Sequence, residues 1–215
     1  RIMIVLIGGE KGGTGKSTIA KNLAAYWQSK GKEILAIDTD SQATFYSWCE
    51  RRKAGDQKPI LCTKLTGAKI AGEIKSLANK YQILIIDAGG QDSKALRAAM
   101  TVATHLLIPT QPSFSDLETL LHMSNLIDEV VAYNPNIICR SIVTRCPTLP
   151  SQFNDIFEAK DYSRSIGIQP LNAITSQRSA YNSVDHIGAT AYESGNDKAR
   201  QEIEEIALEV EGLQA

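Results

Sequence analysis

Apolar residues in this chain gather in short runs, at 2–7, 33–38, 60–62, 83–87, 105–108 and 137–143. Between the runs they recur every three or four positions, which predicts helices after Ser17, through Trp48, and at about 68–78, 93–102 and 115–132. A run with little polar alternation marks a strand buried on both faces. Strands interleaved with helices predict an α/β fold, a doubly wound and mostly parallel sheet with helices on both faces. No repeat, low-complexity segment or linker interrupts the pattern, so a single domain over 1–215 is expected. A last helical stretch sets Ala199, Ile203, Ile206, Val210 and Leu213 on one face, with Glu202, Glu204, Glu205, Glu209 and Glu211 covering the rest. Its apolar face is expected to pack onto the body of the domain.

The stretch Gly8-Gly9-Glu10-Lys11-Gly12-Gly13-Thr14-Gly15-Lys16-Ser17-Thr18 joins the first strand to the first helix, with Ile19, Leu23 and Tyr26 on one helix face. Strand, glycine loop, helix is the setting of a phosphate-binding loop. Glycines let the backbone curl until successive N–H groups point inward, and the helix N-terminus adds partial positive charge at the same spot. Residues Gly12, Gly13, Thr14, Gly15, Lys16, Ser17 and Thr18 are therefore expected to hold a nucleotide. Lys16 would reach the β- and γ-phosphates, and the Ser17 hydroxyl would ligate Mg²⁺.

Two later strands end in acid. The run 33–38 closes on Asp38, with Asp40 two residues on, and the run 83–87 closes on Asp87 before Gly89 and Gly90. In an open α/β sheet the carboxyl ends of the strands line the ligand crevice, so these three acids should face the glycine loop. Carboxylates there can hold the waters that Mg²⁺ keeps when it binds a triphosphate.

Composition adds boundaries. A chain with 43% hydrophobic and 22% charged residues falls in the ordinary globular class. No apolar run approaches the roughly 20 residues that span a bilayer. The formal net charge of −1 confines any nucleic-acid surface to a local patch. Cys49, Cys62, Cys139 and Cys146 show no Cys-x-x-Cys spacing, which suits free thiols in a reducing cytoplasm.

The loop departs from the common pattern in a specific way. Position 10 is Glu, and the loop reads Lys11-Gly12-Gly13-x-Gly15-Lys16-Ser17, with a second lysine early. This resembles the ParA/MinD family of dimerising ATPases, above all its short ParA-type partition proteins, over nearly the whole chain. The resemblance implies ATP and Mg²⁺ as ligands and ATP hydrolysis as the activity. It makes Lys11 the cation that crosses a homodimer interface to the partner's nucleotide, where it would stabilise charge on the leaving phosphoryl group. With Lys11 and Lys16 it places Asp40 in catalysis, positioning the attacking water. Asp87 becomes the second metal-site residue beside Ser17, and Asp38 supports the Mg²⁺ shell. The family's Asp-x-Asp-Pro-Gln is here Asp38-Thr-Asp40-Ser41-Gln42. The stretch 89–93, with Arg97 behind it, resembles the segment that responds to nucleotide state, and 109–116 resembles a loop at the dimer interface. Thr144-Arg145 stands where relatives commonly carry an adenine-facing asparagine, so preference for ATP over GTP rests on the resemblance.

The resemblance further implies non-specific DNA binding in the ATP state, a centromere-binding or cargo adaptor protein that stimulates hydrolysis, and a nucleoid-associated place in the cytoplasm. Arg178 lies in a stretch similar to the DNA-facing part of the short ParA proteins, and Arg164, Lys160, Lys198 and Arg200 could join its patch. Arg51-Arg52-Lys53 is a second basic group, read as a polar helix end. The final helix is too acidic to settle on anionic lipid, so no membrane contact is expected. Rival readings are a positioning ATPase for a protein cargo, a ligase using a similar loop, and an iron–sulfur carrier.

Overall fold

The apolar runs pair as strands. The computed structural model describes residues 2–10, 12–13, 15–89 and 93–214. Strands β1 (Met3–Gly9), β2 (Ile34–Asp38), β3 (Cys62–Lys64), β4 (Ile83–Gly89), β5 (His105–Thr110) and β6 (Ile138–Val143) make one sheet in the order β3-β2-β4-β1-β5-β6. Every pairing in it is parallel. Helices α1 (Lys16–Ser29), α2 (Thr44–Ala54), α3 (Ile70–Ala78), α4 (Ser93–Met100), α5 (Phe114–Val130), α6 (Asn154–Ser165), the short α7 (Ala180–Ser183) and α8 (Asp197–Gly212) surround it.

Successive side chains of a strand point to opposite faces, which divides the core in two. Val5 and Ile7 of β1 pack with Ile19, Leu23 and Trp27 of α1, Trp48 of α2 and Ile203 and Ile206 of α8. Leu6 packs on the other face with Ile70 of α3, Leu96 of α4 and Leu120 of α5. The chain leaves β1 towards β2 on one side and leaves the adjacent β5 towards β6 on the other. The divergence opens a crevice above the carboxyl ends of these strands, the usual ligand position in such sheets.

Four expectations need correction or extension. The third strand is Cys62–Lys64 rather than 60–62: Ile60 is buried just ahead of it, while Leu61 is 63% exposed. As an edge strand pairing only with β2, β3 is partly wetted and carries no apolar run. Helix α6 and the irregular segment after it were not anticipated. That segment runs parallel to β6, bridging Ser141 to Pro170 and Cys146 to Ser176, and so covers the sheet's other edge.

Arg52 is no polar helix end. It is 1% exposed, donates to the Glu193 carboxylate at 2.8 Å from both Nη1 and Nη2, and donates to the carbonyls of Lys58 and Gly188. Gly188 permits this approach because a Cβ there would lie 2.3 Å from the Arg52 backbone. The acids of α8 are likewise not a uniform solvated face. Its apolar side, Ala199, Ile203, Ile206, Ala207 and Val210, is buried as expected. Glu211 accepts from Trp27 Nε1, Glu209 accepts from the backbone N–H groups of Asn172 and Ala173, and Glu202 is itself 9% exposed. Among the described residues no helix is long and apolar enough to cross a membrane.

Candidate functional site

The glycine loop crosses the carboxyl end of β1 at the crevice. Gly13 and Gly15 have φ of 78° and 99°, a region glycine enters without the Cβ clash that penalises other residues. A Cβ on Gly12 or Gly13 would meet nothing within 4 Å, so the loop borders open space. Among the described residues no side chain caps α1, and its first turn contains no acid. The N–H groups of a helix's first turn lack intrahelical partners and suit an anion. The Gly13 carbonyl is held from two sides, by Gln111 Nε2 at 3.1 Å and Arg145 Nη1 at 2.7 Å. Gln111 follows β5 and Arg145 follows β6, so two loops beyond the phosphate loop fix its shape. Arg145 does this from φ 51°, an uncommon setting for a side-chain-bearing residue.

Sheet register assembles the acids. β2 and β4 pair Asp38 with Asp87, so the two carboxylates emerge side by side on one face of neighbouring strands. Asp87 accepts from Ser17 Oγ at 2.6 Å. Its carboxyl is pushed up to about 6, by burial first and then by Asp38, against the pull of Ser17 and Lys16. Burial also raises Asp38, whose Oδ1 accepts from Asp40 N at 2.9 Å and Oδ2 from Tyr46 N at 2.8 Å. Asp38 thus serves the N-terminus of α2 as well as the crevice. Asp40, half-buried, closes its own turn by accepting from Gln42 N at 2.9 Å.

Lys16 lies buried along Gly89, whose missing side chain makes the room: a Cβ there would sit 2.5 Å from Lys16 Cε and 2.2 Å from the Gly9 carbonyl. Burial lowers the Lys16 ammonium below the usual lysine range, while Asp87, Asp40 and Asp116 pull it back up. Asp116, buried in the first turn of α5, also accepts from Gln111 N at 2.8 Å. A buried cation ringed by acids is a site in which a polyanion and a metal ion would satisfy each other.

The sequence-derived residues therefore fall into three groups. Gly12, Gly13, Gly15, Lys16, Ser17, Thr18, Asp38, Asp40 and Asp87 share the crevice. Lys11, Thr14 and 90–92 lie outside the described residues. The basic residues sit on separate elements: Arg164 ends α6 and pairs with Asp161, Lys198 is in the first turn of α8, and Arg200 leans over Tyr192 and pairs with Glu204. Arg178 is engaged with Glu202, and α8 turns the side chains at 200 and 202 about 200° apart. Lys160 donates to the Asn172 carbonyl at 2.8 Å. Sequence reasoning passed over Gln111, Arg145 and Asp116 as loop-holding residues, although each lies in a stretch it had singled out.

Residues 5–210 match the family model of the CobQ/CobB/MinD/ParA nucleotide binding domain. The chain belongs to this family. One relative is the maintenance of carboxysome distribution protein A of Gloeobacter kilaueensis, 33% identical over 122 residues, 56% of this chain and 54% of the relative. Protein ParA of Rhizobium radiobacter is 26% identical over 137 residues, covering 60% of this chain and 61% of that protein. The matched stretch thus spans less than two thirds of either relative. Among solved structures, an ATP complex of a Cyanothece McdA variant superposes with a TM-score of 0.78 at 16% identity, over 100% of this chain and 98% of that one. The parallel sheet and its helices are the fold of that family.

The donor set fits magnesium. Asp87, Asp38 and the Ser17 hydroxyl are hard oxygen donors, and a divalent cation would offset the cost of two adjacent buried carboxylates. Among the described residues no three His, Cys, Asp or Glu side chains form a metal cage of their own. Mg²⁺ at triphosphate sites takes its remaining ligands from substrate phosphates and water.

Proposed function

We propose that the chain is a single ParA-like unit that binds ATP with Mg²⁺, pairs with a second copy and hydrolyses ATP. The observation that carries this reading is the convergence of Lys16, Ser17 and Asp87 at the glycine loop, where Ser17 and Asp87 are 2.6 Å apart. Ser17 and Asp87, supported by Asp38, would hold Mg²⁺, which when bound offsets phosphate charge. The loop amides and Lys16 bind and orient the triphosphate, and Asp40 holds the attacking water. Lys11 of each copy completes the other's site, so the dimer binds nucleotide more tightly than one copy can. That difference in affinity is what lets ATP shift the population towards dimer.

In its ATP state the dimer holds DNA without sequence preference, and a partner protein on the cargo stimulates hydrolysis and release. This places the protein in the cytoplasm on the nucleoid. Basic residues at Arg164, Lys198 and Arg200, doubled by pairing, supply the DNA contacts. Arg178 is removed from that set because its side chain, only 20% exposed, gives two donors to Glu202, whereas the ion-paired Arg164 and Arg200 are about half exposed. A protein cargo is favoured over a plasmid or chromosome by the similarity to a carboxysome distribution protein, and the ParA relative favours the other.

DNA retention in ATP, ADP and no nucleotide, across a salt series, tests the cycle. Retention is expected only with ATP, to persist in Asp40→Ala and to vanish in Lys11→Ala. A Lys11→Ala protein that dimerises and hydrolyses ATP like the parent overturns the shared site. Equal retention in all three states removes DNA gating.

A further inference from the structure

Beside the glycine loop lies a narrow cleft lined by Gly15 and Thr18, by the segment Ser176–Arg178 with Tyr181, and by Thr144. Of its two walls, the first is anchored in β1 and α1. The second belongs to an irregular stretch outside the regular strands, tied to the chain after β6 by Cys146 N–H donating to the Thr175 carbonyl at 2.9 Å and Gln177 N–H donating to the Cys146 carbonyl at 2.8 Å. Such a stretch has only isolated bridges in place of a continuous ladder, so its side chains need a further hold.

That hold is one carboxylate on α8. Glu202 Oε1 accepts from Arg178 Nε at 3.1 Å and Tyr181 OH at 2.8 Å, and its Oε2 accepts from Arg178 Nη2 at 3.1 Å and Ser176 N at 3.2 Å. The wall's arginine, phenol and backbone thus converge on it, and the guanidinium is held in the two-pronged geometry that fixes its plane. Glu202 can act as an anchor because α8 is itself immobilised, with Ile203 and Ile206 fully buried on the neighbouring helix face. The wall also reaches the glycine loop: Arg145, whose backbone N–H donates to Thr175 Oγ1 at 3.4 Å, holds the Gly13 carbonyl.

We propose that Glu202 is the positioning residue for the part of the nucleotide beyond its phosphates, setting the wall against which ribose and base lie and hence the preference among bases. The inference rests on the nucleotide reading above. It gives α8, which touches no phosphate-loop residue through this contact, a direct hold on ligand selectivity. It also accounts for a buried acid in a helix face that sequence alone assigns to solvent.

Calorimetric titration of the full chain with ATP, GTP and inorganic tripolyphosphate, each with Mg²⁺, tests it. Glu202→Gln is expected to weaken ATP at least tenfold, to bring the ATP-to-GTP affinity ratio towards one, and to leave tripolyphosphate within twofold of the parent. Tyr181→Phe and Arg178→Lys, which keep the packing, should shift ATP in the same direction by a smaller factor and serve if Glu202→Gln does not fold. An unchanged ATP affinity and base preference in these variants overturns the proposal, as does an equal loss for ATP and tripolyphosphate, the mark of a merely structural role. A parent that binds none of the three ligands refutes the nucleotide reading instead.

Discussion

At Asp87 a carboxyl group is held fully out of water beside a second buried acid, Asp38. Folding raises its protonation from the ordinary value of 3.8 to about 6, so between those pH values the folded chain holds a proton that the unfolded chain has released. Stability of the metal-free protein therefore falls as pH rises through that window and levels off above it, a penalty of up to about 3 kcal/mol. Asp87→Asn is expected to raise the melting temperature of the nucleotide-free protein at pH 7.5, to flatten its dependence between pH 4 and 6, and to abolish Mg²⁺-dependent ATP binding. Thermal unfolding in chelator checks the first two and titration the third. Gly89→Ala acts at the same point by crowding: it collides with the Gly9 carbonyl and Lys16 and is expected to cost about 1–3 kcal/mol by denaturant unfolding and to weaken ATP binding. The glycine loop and its acids were legible because their chemistry is bound to a short local spacing. The roles of Gln111, Arg145 and Glu202 were not, because each acts on a carbonyl or side chain brought close only by the fold.

Among elements, α2 shows how far one helix end can mislead. Its last turn reads Arg51-Arg52-Lys53, a solvated basic run by composition, yet the middle residue ties α2 to Glu193, to the turn at Gly188 and, through Nη2 at 3.2 Å, to Gln28 of α1. Arg52→Ala leaves Glu193 without its charge partner and is expected to cost about 3–5 kcal/mol. Lys53→Ala, on an exposed side chain one residue away, should stay within about 0.5 kcal/mol. Urea unfolding of the pair separates a buried tether from a surface charge. The elements themselves were readable in proportion to their burial. β1, β2, β4 and β5 lie between helix layers and announce themselves as apolar runs, whereas β3 is partly wetted. α6 buries Ile156, Ala159 and Ser163 while leaving Phe157 63% exposed, so its apolar period is too sparse to stand out.

Over the whole molecule a net charge of −1 leaves little long-range attraction for a polyanion. DNA retention by the proposed dimer would then depend on a few doubled basic side chains, and should fall steeply with salt. Replacing Lys198 or Arg200 by alanine is expected to reduce the salt slope by about 1 for each phosphate that is no longer neutralised. Arg178→Lys should change ATP affinity and leave that slope alone, a contrast read from retention across a salt series beside the titrations. A further consequence follows from how the sheet ends. One margin is a strand of only three residues, and the other lies under the stretch that bridges Ser141 to Pro170 and Cys146 to Ser176. Neither offers the long bare ladder on which a neighbouring copy could extend the hydrogen bonding. Any larger array of this protein would then be held by helix surfaces and loops, where copies meet side chain to side chain, rather than by one sheet growing onto the next.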